Sequence, residues 1–532
     1  MGRALEEVYA QRLEEHAVEL AEHFTQSTEA GDLAKAVKYG EIAAKRAISV
    51  YAYSEAVRLY EECLKAQEVL DPDDKARRCD LLLALGETLI LAGEARRCVD
   101  EAAAEAFALA EAMSDRKRSF LASRLACRGL LGSGTAGALV TPEGKLWVER
   151  ADRYAAPESV ERVWADQYLA ISVSLLGQIV EGRRILKHGV DLARPLGDDE
   201  AFLRLAGDWL ARASPREDAA EQLTVAEEMM RRRHAGMSAI DLGRILVNLS
   251  AFFLSVGQRK RLEEVLGELQ MLAERSRQAN VRLDYMGSTA ILATIDGRLE
   301  DAVDIVHRTL TIGSETDLID YARMTTMLAR GLYWALLKLG KAEEVLRITQ
   351  DVPDSLLKQP VLATCLAHLG RDGEVDELLN KLVLANPEVG STKDETIFDM
   401  DMLLLEAAAL TGHREAVSLL LQRFARGSIP PFGPVRSVTC SLRILGAGKA
   451  LLGRYEEARA DYQEALRVST EFRFRPEVAL TRLQLAELLL EHYPAEKKAA
   501  LEHLDFAVKE FREMKMQPSL ERALRHKEIL KA

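Results

Sequence analysis

The glycine-rich stretch at residues 132–137 is the first place where residue types and spacing could do chemistry. It reads GSGTAG and fits G-x-G-x-x-G, a pattern in which backbone amides approach the pyrophosphate of a dinucleotide. That use requires a strand before the glycines, whereas the preceding FLASRLACRGLL has the periodicity of a helix. We therefore predict an enlarged loop between two helices, ending where Thr141 caps a new helix with Pro142 in its first turn.

Candidate metal ligands and nucleophiles are dispersed along the chain. His16 and His23 stand seven residues apart on a predicted helix, which is more typical of surface or packing residues than of a metal site. The six cysteines form no CxxC pair, a pattern typical of buried thiols in a reducing compartment. There is neither a GxxxxGK[ST] phosphate loop nor an HExxH motif. The sequence predicts no catalytic residues, no cofactor and no metal, and hence a protein that is not an enzyme.

Charge and hydropathy limit the kinds of partner. The 532-residue chain carries a net charge of −13, which argues against nucleic-acid binding. Its densest basic run, RRRH at residues 231–234, is typical of a helix C-terminus, with contact to an acidic partner as the alternative. The N-terminus has no signal-peptide pattern, and apolar runs such as residues 81–91 are too interrupted to span a membrane. We expect a cytoplasmic protein that binds neither nucleic acid nor membranes.

The elements that position these residues are helical hairpins. In TCSLRILGAGKALLGRYEEARADYQEALRV, residues 439–468, Gly446 lies seven residues before Gly453, and Ala458 lies five residues after it. Small residues at these offsets allow two antiparallel helices to approach closely, and Tyr462 fills the space beside them. Small and large residues at such offsets around a turn are the tetratricopeptide signature.

Turn positions recur along the whole chain. Ten of the eleven steps between successive turns are 40–43 residues long, and the exception is the 30-residue step from Gly340 to Gly370. The predicted turns lie at Tyr51, Gly93, Thr135, Gly177, Glu217, Gly257, Gly297, Gly340, Gly370, Gly412, Gly453 and Pro494. The sequence thus predicts an all-α fold, an α-solenoid or superhelix of tetratricopeptide-like hairpins with a period of about 40 residues. The usual tetratricopeptide has 34 residues, so HEAT-like packing is the alternative.

The same pattern suggests a domain organisation. We predict N-terminal helices over residues 1–50 and a solenoid over 51–427, with a long hairpin loop near 131–145. A proline-rich break follows at 428–434, where SIPPFGP cannot be helical, and residues 435–532 form the C-terminal repeats and a capping helix. The short step of 30 residues from Gly340 to Gly370 predicts that the helices in this repeat are shorter than in the others.

The first helices of stacked hairpins line a concave groove, and their outward positions are free to bind. Counting by repeat position selects eight residues as candidates for binding a partner, although each could also be core or ordinary surface. They are Trp164, Gln167, Arg244, Asp284, Met327, Arg330, Trp334 and Arg443. As a set they predict an amphipathic groove for a peptide or partner helix, with Trp164 and Trp334 as its anchors.

The N-terminal region carries a family resemblance. It is carried by GRALEEVYAQRLEEHAVELAEHF, followed by AVKYGEIAAKRAISVYAYSEAVRLYEECL, within about residues 2–66. This region resembles the start of the C-terminal helical-repeat region of bacterial STAND-type signalling ATPases, which are linked to adenylate or guanylate cyclase domains or to LuxR-type regulators. The chain lacks the nucleotide-binding and cyclase domains of that family, so no catalytic residue carries over.

Together these observations predict a protein that works by binding. The leading hypothesis is a non-catalytic scaffold or sensor in bacterial signal transduction, which binds a protein or peptide in its groove. The resemblance implies that an ATPase or cyclase domain is coupled to it in cis or in trans. The alternative is a fragment of a multidomain ATPase, cyclase or transcriptional regulator whose repeats bind a small-molecule effector.

Overall fold

The computed structural model describes residues 2–10, 12–132, 136–211, 219–232, 237–276, 278–316, 318–323, 333–350, 358–386, 398–425, 429–433 and 438–529. Within these ranges the protein is helical, with no β-strand and one isolated antiparallel bridge between Phe432 and Cys440. No helix in the same ranges is long and apolar enough to cross a lipid bilayer. The predicted all-α class is confirmed.

The chain divides into two compact units, residues 1–205 and 206–532. Successive helices of the first unit pair as hairpins, and a six-residue π-helical turn, Cys98–Ala103, joins α6 to α7. These helices are α1 Gly2–Val8, α2 Ala17–Thr25, α3 Ala30–Ser49, α4 Tyr53–Leu70, α5 Lys75–Leu91, α6 Ala95–Arg97, α7 Ala104–Ala112, α8 Arg116–Gly132, α9 Pro142–Tyr154, α10 Val160–Leu175 and α11 Ile179–Leu196. Helix α12, Asp199–Leu210, contains the boundary between the units.

The second unit continues the same hairpin pattern. Its helices are α13 Ala219–Arg231, α14 Ala239–Ser255, α15 Arg259–Ser276, α16 Ala279–Ile295, α17 Leu299–Glu315, α18 Ile319–Arg323, α19 Tyr333–Lys338, α20 Ala342–Gln350, α21 Lys358–His368, α22 Asp372–Leu379, α23 Phe398–Thr411, α24 Arg414–Phe424, α25 Ser441–Leu451, α26 Tyr455–Phe472, α27 Arg475–His492, α28 Lys497–Glu513 and α29 Gln517–Ile529. The helices of the regular repeats, such as α14 to α17, have 17–18 residues, and this length accounts for the long period.

Eight of the predicted turn glycines end a helix in the same way. Each has a positive φ, a conformation that costs a glycine little. The amide after the glycine donates to the carbonyl five residues earlier, as from Glu94 to Leu89 and from Arg454 to Lys449, at 2.8–3.0 Å. This is the Schellman cap. Tyr51, also at positive φ, occupies the first turn without a glycine. The predicted turns Thr135 and Glu217 lie outside the described residues.

Close helix contact explains the small residues seven positions before the turns. A Cβ on Gly446 would lie 2.8 Å from the Tyr462 ring and 3.3 Å from the Ala458 carbonyl. A Cβ on Gly86 would collide with Leu125 and lie 3.2 Å from the sulfur of Cys98. Because the two helices of a hairpin touch there, the tetratricopeptide-like reading of the repeat is confirmed.

Gly446→Leu is expected to lower the free energy of unfolding by about 1–3 kcal/mol, because the Tyr462 ring and the α26 backbone leave no room for a side chain. Gly267→Leu is the matched control, since among the described residues nothing lies within 4 Å of a Cβ on Gly267, which is also helical. The control substitution should leave the free energy of unfolding unchanged or raise it by up to about 1 kcal/mol. Urea denaturation followed by circular dichroism measures both, and equal effects would contradict close packing at Gly446.

The enlarged loop between α8 and α9 follows a helix, as predicted, and not a strand. After residues 133–135, which lie outside the described residues, a 3₁₀ turn, Ala136–Val140, leads to α9. The hydroxyl of Thr141 accepts a hydrogen bond from the amide of Gly144, and Pro142 occupies the first turn. The glycine-rich motif therefore lacks the strand that a dinucleotide site needs.

The proline-rich segment is non-helical over residues 429–433, as predicted, and residues 428 and 434 lie outside the described residues. Phe432 is fully buried, with its ring 4.7 Å from the ring of Phe472 and 5.7 Å from that of Phe474. Its amide donates to the carbonyl of Ser255 at 3.2 Å, and the ring lies against Gly257. The segment thus joins helices that are far apart in sequence. The domain boundaries proposed from the sequence, including a break in this segment, stay a prediction.

Within the second unit, the C-terminal repeats pack against the turns of earlier repeats. A Cβ on Gly297 would lie 2.9 Å from Cγ of Met514, and a Cβ on Gly340 would lie 2.9 Å from Cγ of Pro518. Lys515 forms an ion pair with Glu300, 215 residues away. Contacts across such distances are unusual in a repeat protein, where each repeat normally touches only its neighbours.

Candidate functional site

A cavity of about 540 Å³ lies on the first helices of the C-terminal repeats, α23, α25 and α27, with α29 at one side. This volume is within the range of small-ligand sites, about 300–1,000 Å³. Its lining combines carboxylates, guanidinium groups, aromatic rings and aliphatic side chains. The lining residues are Glu406, Ala409, Leu410, Arg414, Arg443, Ile444, Ala447, Ala450, Leu451, Tyr455, Tyr462, Gln484, Glu487, Leu488, Glu491, His492 and Arg522.

A buried ionic network holds the helices around this cavity. Glu477 of α27 is fully buried. Its Oε1 accepts from Nζ of Lys338 at 3.0 Å, and its Oε2 accepts from Nε of Arg443 at 2.6 Å and from the amide of Cys440 at 3.1 Å. The same Arg443 donates through Nη2 to Oε1 of Glu406 at 3.1 Å. The network therefore connects α19, α23, α25 and α27.

The charges of the network set the protonation of Glu477. Burial by itself would raise the pKa of this carboxyl, but Arg443 and Lys338 outweigh burial and lower the pKa to about 2. Burial opposes the charge of Arg443 as well, yet Glu477 and Glu406 raise the pKa of its guanidinium. Glu477 is thus a carboxylate and Arg443 a cation at neutral pH.

Glu406 lines the cavity, as does its partner Arg443. Glu406 is 7% exposed. Its Oε1 accepts from Arg443, whereas its Oε2 is buried and has no hydrogen-bond partner among the described residues. Gln484 also lines the cavity, and its buried amide oxygen likewise has no hydrogen-bond partner among the described residues. Leaving a buried acceptor unpaired costs about 1–3 kcal/mol, and more for a charged group.

A second carboxylate in the lining is fully paired. Glu487 accepts from Nε and Nη2 of Arg522, both at 2.6 Å, and lies 2.9 Å from Nε2 of His526. Burial would raise its pKa, but His526 and Arg522 lower it. Glu487, Glu491 and Arg522 also line a neighbouring cavity of about 640 Å³. The two cavities thus form one concave surface that crosses α27.

Two of the sequence-predicted residues lie in the first unit, both on α10. Trp164 is 3% exposed, with its ring centroid 4.3 Å from Cζ of Arg124 and 5.4 Å from Cζ of Arg204. Gln167 is buried as well. Both side chains thus lie in the interior, and a binding role for them stays a prediction.

Arg244 and Asp284 are brought near one another on α14 and α16. Nη2 of Arg244 lies 3.5 Å from Oδ1 of Asp208, and this carboxylate is the main reason for the raised pKa of Arg244. Asp284 is buried and accepts from the Tyr321 hydroxyl at 3.0 Å. The Arg244 side chain is 42% exposed, so it is accessible to a partner.

Trp334 and Arg443 belong to the buried network beside the cavity. Trp334 is 2% exposed, and Nζ of Lys338 lies 5.5 Å from its ring centroid. Lys338 in turn shares Glu477 with Arg443, which is 4% exposed and lines the cavity. Met327 and Arg330 lie outside the described residues. That a partner contacts these residues stays a prediction.

Sequence reasoning did not select Glu406, Gln484, Glu487 or Arg522. One signal was present, because Glu487 stands seven residues before the Pro494 turn, where the repeat pattern asks for a small residue. A charged side chain at that position departs from the repeat pattern. Glu406 gave no comparable signal, because its partner Arg443 is recognisable only in three dimensions.

The thiols fit the expectation of buried cysteines. All six are free and buried. Burial raises the pKa of Cys98 and of Cys365 to about 12, so these thiols are protonated and unreactive at neutral pH. Among the described residues, no three His, Cys, Asp or Glu side chains are grouped as a metal site would need.

No protein-family model and no curated protein matches the sequence. Among solved structures, the chain is similar to the "Crystal structure of APC/C hetero-tetramer Cut9-Hcn1", with 12% identity and a TM-score of 0.48 over 92% of this chain and 96% of that chain. It is also similar to a "Circular tandem repeat protein with novel repeat topology and enhanced subunit contact surfaces", with 16% identity and a TM-score of 0.14 over 98% of this chain and 99% of that chain. Neither degree of similarity bears on what this chain binds.

Proposed function

We propose that the protein is a non-catalytic interaction scaffold that binds an extended segment of a protein or peptide partner on its concave C-terminal surface. The observation that carries the proposal is the cavity of about 540 Å³ on α23, α25 and α27. The first helices of stacked hairpins form the concave side of a solenoid, which is the surface that such proteins use for binding. Its mixed lining of aliphatic, aromatic and charged side chains suits a peptide better than a single small metabolite.

We further propose that this binding serves bacterial signal transduction. Support comes from residues 2–66, which span α1 to α3 and most of α4 and resemble the repeat region of STAND-type signalling ATPases. In that setting the repeats act as a sensor, coupled to an ATPase or cyclase domain in cis or in trans. A coding region for such a domain adjacent to that of this chain would support the coupling.

Selection of random dodecapeptides on the purified chain tests the scaffold function. Ala447, which lines the cavity, is changed to Phe to fill it, and the exposed Ala460 on α26 is changed to Phe as a matched control. We expect enriched peptides to bind Ala447→Phe at least tenfold more weakly than the wild type, and to bind Ala460→Phe unchanged. Fluorescence anisotropy gives the dissociation constants. Failure to enrich any peptide that distinguishes the two variants would reject the proposal.

A small-molecule effector is the second candidate, favoured by the cavity volume, which is ordinary for such ligands. A ligand present at a hundredfold excess over its Kd would stabilise the folded chain by about 2.7 kcal/mol. Two results together would favour this candidate over the scaffold. A small metabolite would raise the Tm of the wild type but not that of Ala447→Phe, and the peptide selection would yield no peptide whose binding depends on the cavity.

A further inference from the structure

We propose that the cavity on α23, α25 and α27 accepts a lysine or arginine side chain of the bound segment, with its cation on Glu406 and its aliphatic stem along the cavity wall. This inference rests on the proposed scaffold function and specifies the chemistry of its ligand.

The buried side-chain atoms of the lining that lack a hydrogen-bond partner among the described residues are both acceptors. They are Oε2 of Glu406 and Oε1 of Gln484. Glu406 carries the argument, because both oxygens of a carboxylate are acceptors whichever way the group is turned. A charged donor that entered the cavity would recover the cost of leaving this oxygen unpaired.

The two guanidinium groups of the lining that belong to Arg443 and Arg522 are already held in ion pairs, whereas that of the exposed Arg414 is bound to a backbone carbonyl. Arg443 donates to Glu477 and Glu406, Arg522 donates twice to Glu487, and Arg414 donates to the carbonyl of Leu451. An acidic ligand would therefore reach Arg443 and Arg522 only in competition with their ion pairs, and would face the carboxylates of Glu406, Glu487 and Glu491. A basic ligand meets one carboxylate that is half paired and another, Glu491, that is 76% exposed.

The remaining wall suits the stem of a basic side chain. Leu410, Ile444, Leu451 and Leu488 are aliphatic and line the same cavity. Lysine and arginine bury their methylene groups along apolar surface while their charge reaches a polar partner. At the rim the ring of Tyr455 stacks on His492, with centroids 3.6 Å apart, and aromatic faces attract cations. An aliphatic wall with a carboxylate at one point therefore matches the apolar stem and terminal charge of a lysine or arginine side chain.

The test uses capped tripeptides on the full chain. Ac-Gly-Lys-Gly-NH₂ and Ac-Gly-Arg-Gly-NH₂ are compared with Ac-Gly-Glu-Gly-NH₂ by ligand-observed NMR titration. Butylammonium and propylguanidinium, which are the free side-chain cations without peptide groups, are titrated in the same way. We expect the basic tripeptides to bind more tightly than the free side-chain cations, because peptide groups add contacts. We expect the acidic tripeptide not to bind. Glu406→Gln, which keeps the shape and can still accept from Arg443, should weaken binding about tenfold or more. Glu415→Gln removes the same charge from an exposed position on α24 and should leave affinity unchanged.

A second pair of variants keeps the test decisive if Glu406→Gln does not fold. Ala450→Lys places an ammonium group at the cavity wall and should abolish binding of the basic tripeptides, whereas Ala450→Glu, of similar size, should not. Equal affinity for basic and acidic tripeptides, or equal effects of the two Ala450 variants, would overturn the inference. So would selected dodecapeptides that depend on the cavity but lack a basic residue, and in that case the scaffold function would stand while the ligand class would not.

Discussion

Glu477→Gln is expected to lower the free energy of unfolding by about 3–5 kcal/mol, because it removes a buried charge that two cations share. The carboxylate is fully buried and is shared by Lys338 and Arg443. Without it, buried Lys338 loses its counter-charge and Arg443 retains Glu406 but loses Glu477, and the amide of Cys440 loses the carboxylate that accepts its hydrogen bond. The loss should appear in the second unit, whose helices α19, α25 and α27 the network connects.

The same carboxylate predicts a pH dependence. Because the pKa of Glu477 is lowered from 4.5 to about 2 by folding, its contribution is fully present above pH 4.5 and is lost as the pH falls towards 2. That fall in pKa corresponds to roughly 3 kcal/mol. Urea denaturation should therefore show a large difference between wild type and Glu477→Gln at pH 7, and a smaller one at pH 3. The exposed Glu415→Gln should change the stability by less than about 0.5 kcal/mol at either pH. A difference that does not depend on pH would contradict the ionic role of Glu477.

Phe432→Ala should lower the free energy of unfolding by about 3–5 kcal/mol, which is the range for truncating a buried aromatic residue. The ring is fully buried against Phe472 and Phe474 and lies on the Gly257 turn, so its removal leaves a cavity where the proline-rich segment meets α14 and α26. Thermal and urea denaturation measure the loss. Met271→Ala is the control, because this side chain is 48% exposed in the same unit and should contribute little.

A further readout separates local from distant effects of Phe432→Ala. Hydrogen exchange should quicken in α14, near Gly257, as well as in α26, because the ring joins both. Exchange that quickens only next to residue 432 would show that the segment is an isolated loop, contrary to the packing described here.

The hairpins were predictable from sequence because their determinants are local. A glycine at the turn, a small residue seven positions earlier and another five positions later fix the contact between two adjacent helices, as Gly446, Gly453 and Ala458 do. The 40-residue period could be read for the same reason. From the length of the period alone, HEAT-like packing was a reasonable alternative.

The cavity and its network were not predictable, because they depend on contacts between distant repeats. Lys338 and Glu477 are 139 residues apart, and no repeat offset relates them. Counting by repeat position placed Trp334 and Arg443 in the groove, whereas both side chains are buried in the folded chain. Glu406 and Gln484 could not be recognised either, because an unpaired acceptor is a property of the folded surroundings and not of residue type.

The packing of Met514, Lys515 and Pro518 against the Gly297 and Gly340 turns has a consequence for how this chain could change in length. An open repeat array gains or loses whole repeats with little harm, because each unit needs only its neighbours. Here, inserting or deleting one hairpin between Gly340 and Cys440 would shift Glu477 away from Lys338 and Pro518 away from Gly340 at once. We therefore expect geometry to fix the number of hairpins in that stretch.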